Sequence, residues 1–129
     1  MKAVFDPRQR AHDPQNFLVA GTPRPSPEQP ARADALLAGL ATAGAEVIAP
    51  ADYGRGPIAA VHTAEYLDFL ETAHALWREL PGASDEVVPN VHLDRARSSY
   101  PASIVGRAGW HQADLACPIG PRTWESAWW

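Results

Sequence analysis

The sequence predicts an α/β fold built on a parallel sheet. Lys2-Ala3-Val4-Phe5 is a short β-like run, stopped by Asp6-Pro7. Glu46-Val47-Ile48-Ala49 is a second such run, closed by Pro50. Between them Ala33, Leu36, Leu37 and Leu40 recur at helical spacing and form one apolar stripe. Strand, helix and strand in that order make a βαβ unit, whose two strands run parallel.

The linking segments follow from local chemistry. Residues 6–30 hold six prolines and no helical period, which predicts a long, ordered loop whose patch Phe17-Leu18-Val19 docks on something. Pro30 suits the first turn of the helix, and Gly44 suits the position just past its end. A Gly/Pro-rich stretch, residues 52–57, leads to a short helical turn from Ile58 to Val61. The clearest helix follows, with Thr63 as its N-cap and Glu65 favourably placed in the first turn. Its apolar face is Tyr66, Leu67, Leu70, Ala73, Trp77 and Leu80, and Pro81-Gly82 ends it. Residues 83–103 read as irregular and polar. Residues 104–116 carry a helical pattern that Gly106 and Gly109 weaken, Cys117 to Pro121 reads as a loop, and Thr123 is expected to cap a last helix, TWESAWW.

Bulk properties narrow the function. A length of 129 residues suits one domain, residues 1–129, and the 46% hydrophobic content is that of a globular chain. The net charge of −4, with basic residues scattered, excludes a nucleic-acid footprint and an anionic-membrane footprint. Cys117 is the only cysteine, so no intrachain disulfide can form. The apolar run near the N-terminus is too short for a signal peptide, and no stretch reaches the roughly 20 apolar residues of a membrane helix. A cytoplasmic protein is the expectation.

Four segments, taken in order, carry a family resemblance. They are KAVF at the start, PEQPARADALLAGL at 27–40, AAVHTAEYLDFLETA at 59–73 and GRAGWHQADLACPIGPRTWESA at 106–127. The set resembles the histone deacetylase and acetylpolyamine amidohydrolase family. The correspondences are its opening strand, its P-E-x-P-x-R helix start, its H-x-x-x-Y-L-x-F-L helix, and its G-x-x-G-W/Y, C-P and T-W-E-A elements. The resemblance implies an arginase/deacetylase-like three-layer fold with a parallel sheet, present here as its N-terminal part and incomplete. It also implies zinc in the complete enzyme, which polarises an amide carbonyl and activates water. The substrate would be a small acetyl amide, an acetylpolyamine or acetyl-lysine.

The family's metal ligands are two aspartates and one histidine, in motifs of the G-H-H and D-x-D-x-H-H-G type, and this sequence contains neither motif. His62, His74, His92, His111, Asp13, Asp94 and Asp114 do not form a recognisable zinc pattern, so no metal is expected in this chain alone. The expectation is therefore a scaffold segment, inactive alone, that stops at Trp128-Trp129 inside a core helix. A piece of a longer product, a degraded gene product and a true short protein are the competing origins. Without neighbours, Leu36, Leu40, Leu67 and Leu70 are expected to lose burial, at about 1.5–3 kcal/mol for each large side chain. Two alternatives stand beside this reading: a non-catalytic interaction or dimerisation module that pairs with a full-length relative through residues 81–121, for which a stable homodimer would speak, and a small hydrolase using His111 and Asp114.

The resemblance assigns three residues to the substrate tunnel or its rim. Arg32, the arginine of P-E-x-P-x-R, is implied to be buried and to tie loops together through its several donors. Trp110 is implied to line a path for an alkyl-ammonium substrate by apolar or cation–π contact. Asp114 is the nearest acidic residue to the C-P turn, where some relatives place an acid and this chain has Ala116. His62 is read as structural, His74 as a surface or boundary residue, and His12 and His92 as uninformative. Trp77 and Trp124 are read as core, and Cys117 as a small apolar residue with no catalytic part.

Overall fold

The structure, a computed structural model, describes residues 1–89, 91–113 and 118–128. The expected βαβ unit is present. Strand β1 (Lys2–Val4) pairs in parallel with β4 (Glu46–Ile48), with Lys2 opposite Glu46 and Val4 opposite Ile48. Helix α1 (Ala31–Thr42) connects them and packs against β4. Gly44 sits just past the helix at φ 66°, a left-handed conformation open to glycine at low cost.

Residues 6–30 hold regular secondary structure where the sequence reads as an ordered loop. Pro7–Ala11 forms a 3-10 helix capped by the Asp6 side chain. Strands β2 (Asn16–Val19) and β3 (Thr22–Pro25) form an antiparallel hairpin, so Phe17-Leu18-Val19 is a strand rather than a docking loop. Its two-residue turn, Ala20-Gly21, has φ 49° and 77°, the double left-handed turn that matches strand twist. The prolines are tolerated because of register. Ser26 donates its N–H to the Gln15 carbonyl at 3.0 Å, and by alternation the hydrogen-bonded positions of β3 are 22 and 24. Pro23 and Pro25 fall at positions whose N–H would not face β2.

A short helix, α2, covers Gly56–Ala59 and precedes the principal one, α3 (Ala64–Arg78). Thr63 caps α3 by accepting from the Tyr66 N–H at 3.3 Å. Helix α4 (Ile104–His111) is capped by Ser103, and α5 covers Thr123–Ala127. Thr123 is the first residue of α5 rather than its cap, and its hydroxyl instead accepts from the Gly120 N–H at 2.9 Å. It also meets Nδ1 of His12 at 3.0 Å, which gives His12 a part in joining the 3-10 helix to α5.

The core lies between α3, α4 and one isolated bridge, not within the βαβ unit. Phe69, Ala73 and Trp77 of α3 pack with Ala108 of α4 and with Val87 and Ile119. Val87 and Ile119 exchange backbone hydrogen bonds of 2.9 and 3.2 Å, the one element of regular pairing in a stretch that reads as irregular. Leu67 is buried and Leu70 packs against the cluster, so the expected loss of burial does not occur at these two positions. Leu36 does remain open, at 65% exposure, and Leu40 is half-buried.

The two glycines that weaken the helical signal of α4 are what allow it to pack. A Cβ on Gly109 would lie 2.3 Å from the Val91 carbonyl oxygen, and one on Gly106 would lie 2.5 Å from Pro101 Cβ. The Leu93 N–H donates to the Gly109 carbonyl at 2.9 Å, so the 91–93 segment runs directly along the helix.

Candidate functional site

The chemistry-bearing side chains gather where α3 and α4 meet. The helical period of α3 brings Tyr66 and Phe69 to the face toward α4, and His111 closes α4 against them. The His111 ring stacks on Phe69 with centroids 4.8 Å apart and leans on Tyr66 at 5.5 Å. The Tyr100 hydroxyl lies 3.1 Å from its Nε2. His62 extends the row by packing on Tyr66 at 5.1 Å. Burial, and after it the positive charge of Arg95, lowers the His111 pKa from the ordinary histidine value; Glu65 opposes the shift and Arg107 adds to it. His111 is therefore a neutral imidazole at neutral pH, with its Nε2 suited to accept from the tyrosine hydroxyl.

Trp110 sits beside this group, half-buried on α4. Tyr100 meets its ring edge-on at 5.6 Å, and the Arg95 guanidinium lies 5.8 Å from its centroid. Arg95 also donates through Nε to the Trp110 carbonyl at 2.8 Å, with a second donor on the same oxygen. That oxygen belongs to the last turn of α4, where carbonyls need partners and a cation is favourable. Arg107 stands 5.8 Å from the Tyr100 ring centroid. The described surroundings of Trp110 are thus aromatic and cationic.

Of the three residues assigned to the tunnel or rim, Trp110 has this setting, Arg32 has another, and Asp114 lies outside the described residues, as does Cys117. Arg32 is in the first turn of α1, 57% exposed, and pairs with Glu28 four residues earlier. It is not buried in this chain, because α1 carries no fully buried residue for it to lie beneath. Tyr100, Arg95 and Arg107 were not visible as site residues. Tyr100 lies in a stretch with no periodic pattern, and the only signal was its local setting of serines and a proline, SSYPAS.

Elsewhere the histidines are structural. His74 Nε2 meets the Asp85 carbonyl at 3.0 Å and His92 Nδ1 meets the Gln112 carbonyl at 2.9 Å. Among the described residues no group of three or more His, Cys, Asp or Glu could hold a metal ion. The described residues do not fit a zinc site, and no step of hydrolysis is assigned to them.

Architecture and sequence together define a class: an α/β segment of deacetylase type, with a parallel sheet of two strands. No family model matches the chain. It is 37% identical to an acetylpolyamine amidohydrolase of Burkholderia pseudomallei, over 100% of this chain and 38% of the relative. It is 36% identical to acetylpolyamine amidohydrolase 1 of Pseudomonas aeruginosa, over 98% of this chain and 37% of that protein. The crystal structure of the acetylpolyamine aminohydrolase from Burkholderia pseudomallei matches with a TM-score of 0.90 and 38% identity, over 100% of this chain and 37% of that chain. The chain belongs, as an N-terminal segment, to the histone deacetylase/acetylpolyamine amidohydrolase family. It spans a little over a third of the length of the curated relatives that it matches.

Proposed function

We propose that these 129 residues serve as the scaffold segment of a zinc-dependent deacetylase that hydrolyses a small acetyl amide. The carrying observation is the whole-chain match to acetylpolyamine amidohydrolases, joined with the absence of any metal-holding cluster among the described residues. In this reading the segment supplies the first parallel strands and a helical wall. Arg32, Trp110 and Asp114 stand at the tunnel or its rim, and the zinc ligands lie elsewhere in the family fold.

Acetylpolyamine and acetyl-lysine are both candidate substrates. Arg95 beside Trp110, with Arg107 beside the neighbouring Tyr100, weighs against recruiting a distal ammonium at that point, since like charges repel across a partly desolvated surface. The test is zinc content by elemental analysis on the purified chain, with hydrolysis of acetylputrescine and of an acetyl-lysine peptide in the presence of added zinc. Near-zero zinc and no hydrolysis are expected. One zinc per chain, or zinc-dependent deacetylation by the chain alone, overturns the reading.

A further inference from the structure

We infer that Arg95 and Arg107, set on the Tyr100–Trp110 ring pair, form a subsite for a carboxylate at the far end of the acetyl amide. The substrate class is then an acetamido acid: an alkyl chain with an acetyl amide at one end and a carboxylate at the other. The inference deepens the deacetylase reading and rests on its placing of Trp110 at the tunnel rim.

The two cations are held in an unusual way for this chain. Arg8, Arg10, Arg32, Arg55, Arg78 and Arg122 each pair with a carboxylate. Arg95 and Arg107 pair with none among the described residues. Backbone carbonyls hold them instead. Arg95 donates through Nε to the Trp110 carbonyl at 2.8 Å, and Arg107 donates through Nε to the Pro101 carbonyl at 3.3 Å. Their positions are fixed while their charge lacks a carboxylate, and a planar guanidinium suits a planar anion through paired hydrogen bonds.

The surface beneath them suits an alkyl stem. Trp110 and Arg107 are half-buried, and the Tyr100 and Trp110 rings lie 5.6 Å apart. Local charge agrees. Residues 91–113 hold three arginines and one aspartate in a chain of net charge −4. The Asp94 carboxylate accepts from the Ala96 N–H at 3.0 Å, and Asp114 lies outside the described residues. Glu65 of α3 is the acid that acts on His111, and both arginines oppose it there. A terminal carboxylate therefore meets opposite charge at this point and a terminal ammonium meets like charge.

The experiment is an NMR titration of the Trp110 indole N–H, assigned with Trp110→Phe, on the zinc-free chain. The probes are 5-acetamidopentanoate and acetylputrescine, which share the acetyl amide and the alkyl chain and differ in terminal charge. Expected is a saturable shift with the carboxylate and binding at least about tenfold weaker with the ammonium. Arg95→Gln and Arg107→Gln should each weaken carboxylate binding about threefold, the scale of a solvent-facing ion pair, with circular dichroism unchanged. Arg95→Lys, which keeps a charge and a donor, should retain most of the preference. Equal or tighter binding of acetylputrescine, no response to the carboxylate, or a response that both glutamine variants leave unchanged overturns the inference. Acetate binding as tightly as 5-acetamidopentanoate overturns the substrate class. Zinc uptake or deacetylation by the chain counts against the segment reading alone, since this binding is measured without metal.

Discussion

Tyr100 and His111 meet hydroxyl to imidazole at 3.1 Å, across the gap between an irregular segment and the end of α4. This contact binds the 95–103 stretch to the helix pair, and either the hydroxyl or the ring nitrogen can be its donor. Burial, Arg95 and Arg107 disfavour a positive charge on the ring, so the packing around His111 depends on the imidazole staying neutral.

That dependence sets a pH prediction. The folded-state pKa of His111 is depressed, so below the ordinary histidine value the unfolded chain binds the extra proton more readily. Stability from this group is complete above that value and declines as pH falls through it. Thermal melts at pH 7.5 and 5.0 should show the loss, and His111→Phe, which keeps the ring stack, should flatten that part of the profile.

Asp6 acts at a different pH. The Arg8 side chain, and then the Arg8 backbone N–H, hold its carboxyl down at about 2. Its contribution is present above the ordinary aspartate value and is lost as pH falls from there towards about 2. Asp6→Asn should remove this acid-limb dependence by lowering the melts near neutral pH, so that the variant and the parent chain converge as pH falls towards about 2.

Glycine substitutions should separate two kinds of site. Gly109→Ala drives a methyl into the Val91 carbonyl, an overpacking change of about 1–3 kcal/mol, with no flexible side chain to give way. Gly39→Ala on α1 meets open space and should stabilise by about 0.5–1 kcal/mol. Urea unfolding of the two variants should move in opposite directions.

Glu86 anchors the start of the hairpin. It is 8% exposed and accepts from the backbone N–H groups of Gln15 at 2.7 Å and Asn16 at 3.2 Å. Glu86→Ala leaves both donors short of a buried acceptor, and should cost about 1–3 kcal/mol in urea unfolding.

Legibility in the sequence followed the strength of local signals. The βαβ unit and the Thr63 cap were readable because period, punctuation and capping chemistry agree there. The hairpin was not, because Ala20-Gly21 lacks the usual Asn-Gly or Asp-Gly and because Pro23 and Pro25 argue against a strand until register is known. Phe69 was missed as core because one apolar stripe was sought, whereas α3 is covered from two sides, by α4 and by the Val87–Ile119 bridge. Leu67 and Leu70 were expected to need absent neighbours; Leu70 finds them in that same cluster, and Leu67 is buried outside it. The site was legible at Trp110 only through the family motif. Tyr100 and Arg95 reach it from a segment whose conformation no periodicity encodes, and Arg107 joins them from α4 itself.

The alternating prolines of β3 govern how this chain behaves in a crowd. Positions 23 and 25 are where β3 would turn its N–H groups outward, and proline has none to offer. A stray strand arriving at that rim finds carbonyls and no donors, so the β3 edge is a poor seed for fibrils. Self-association of the isolated chain is therefore expected to begin at other strand edges, those of β1 and β4 among them, and to leave the proline-bearing rim as a bystander.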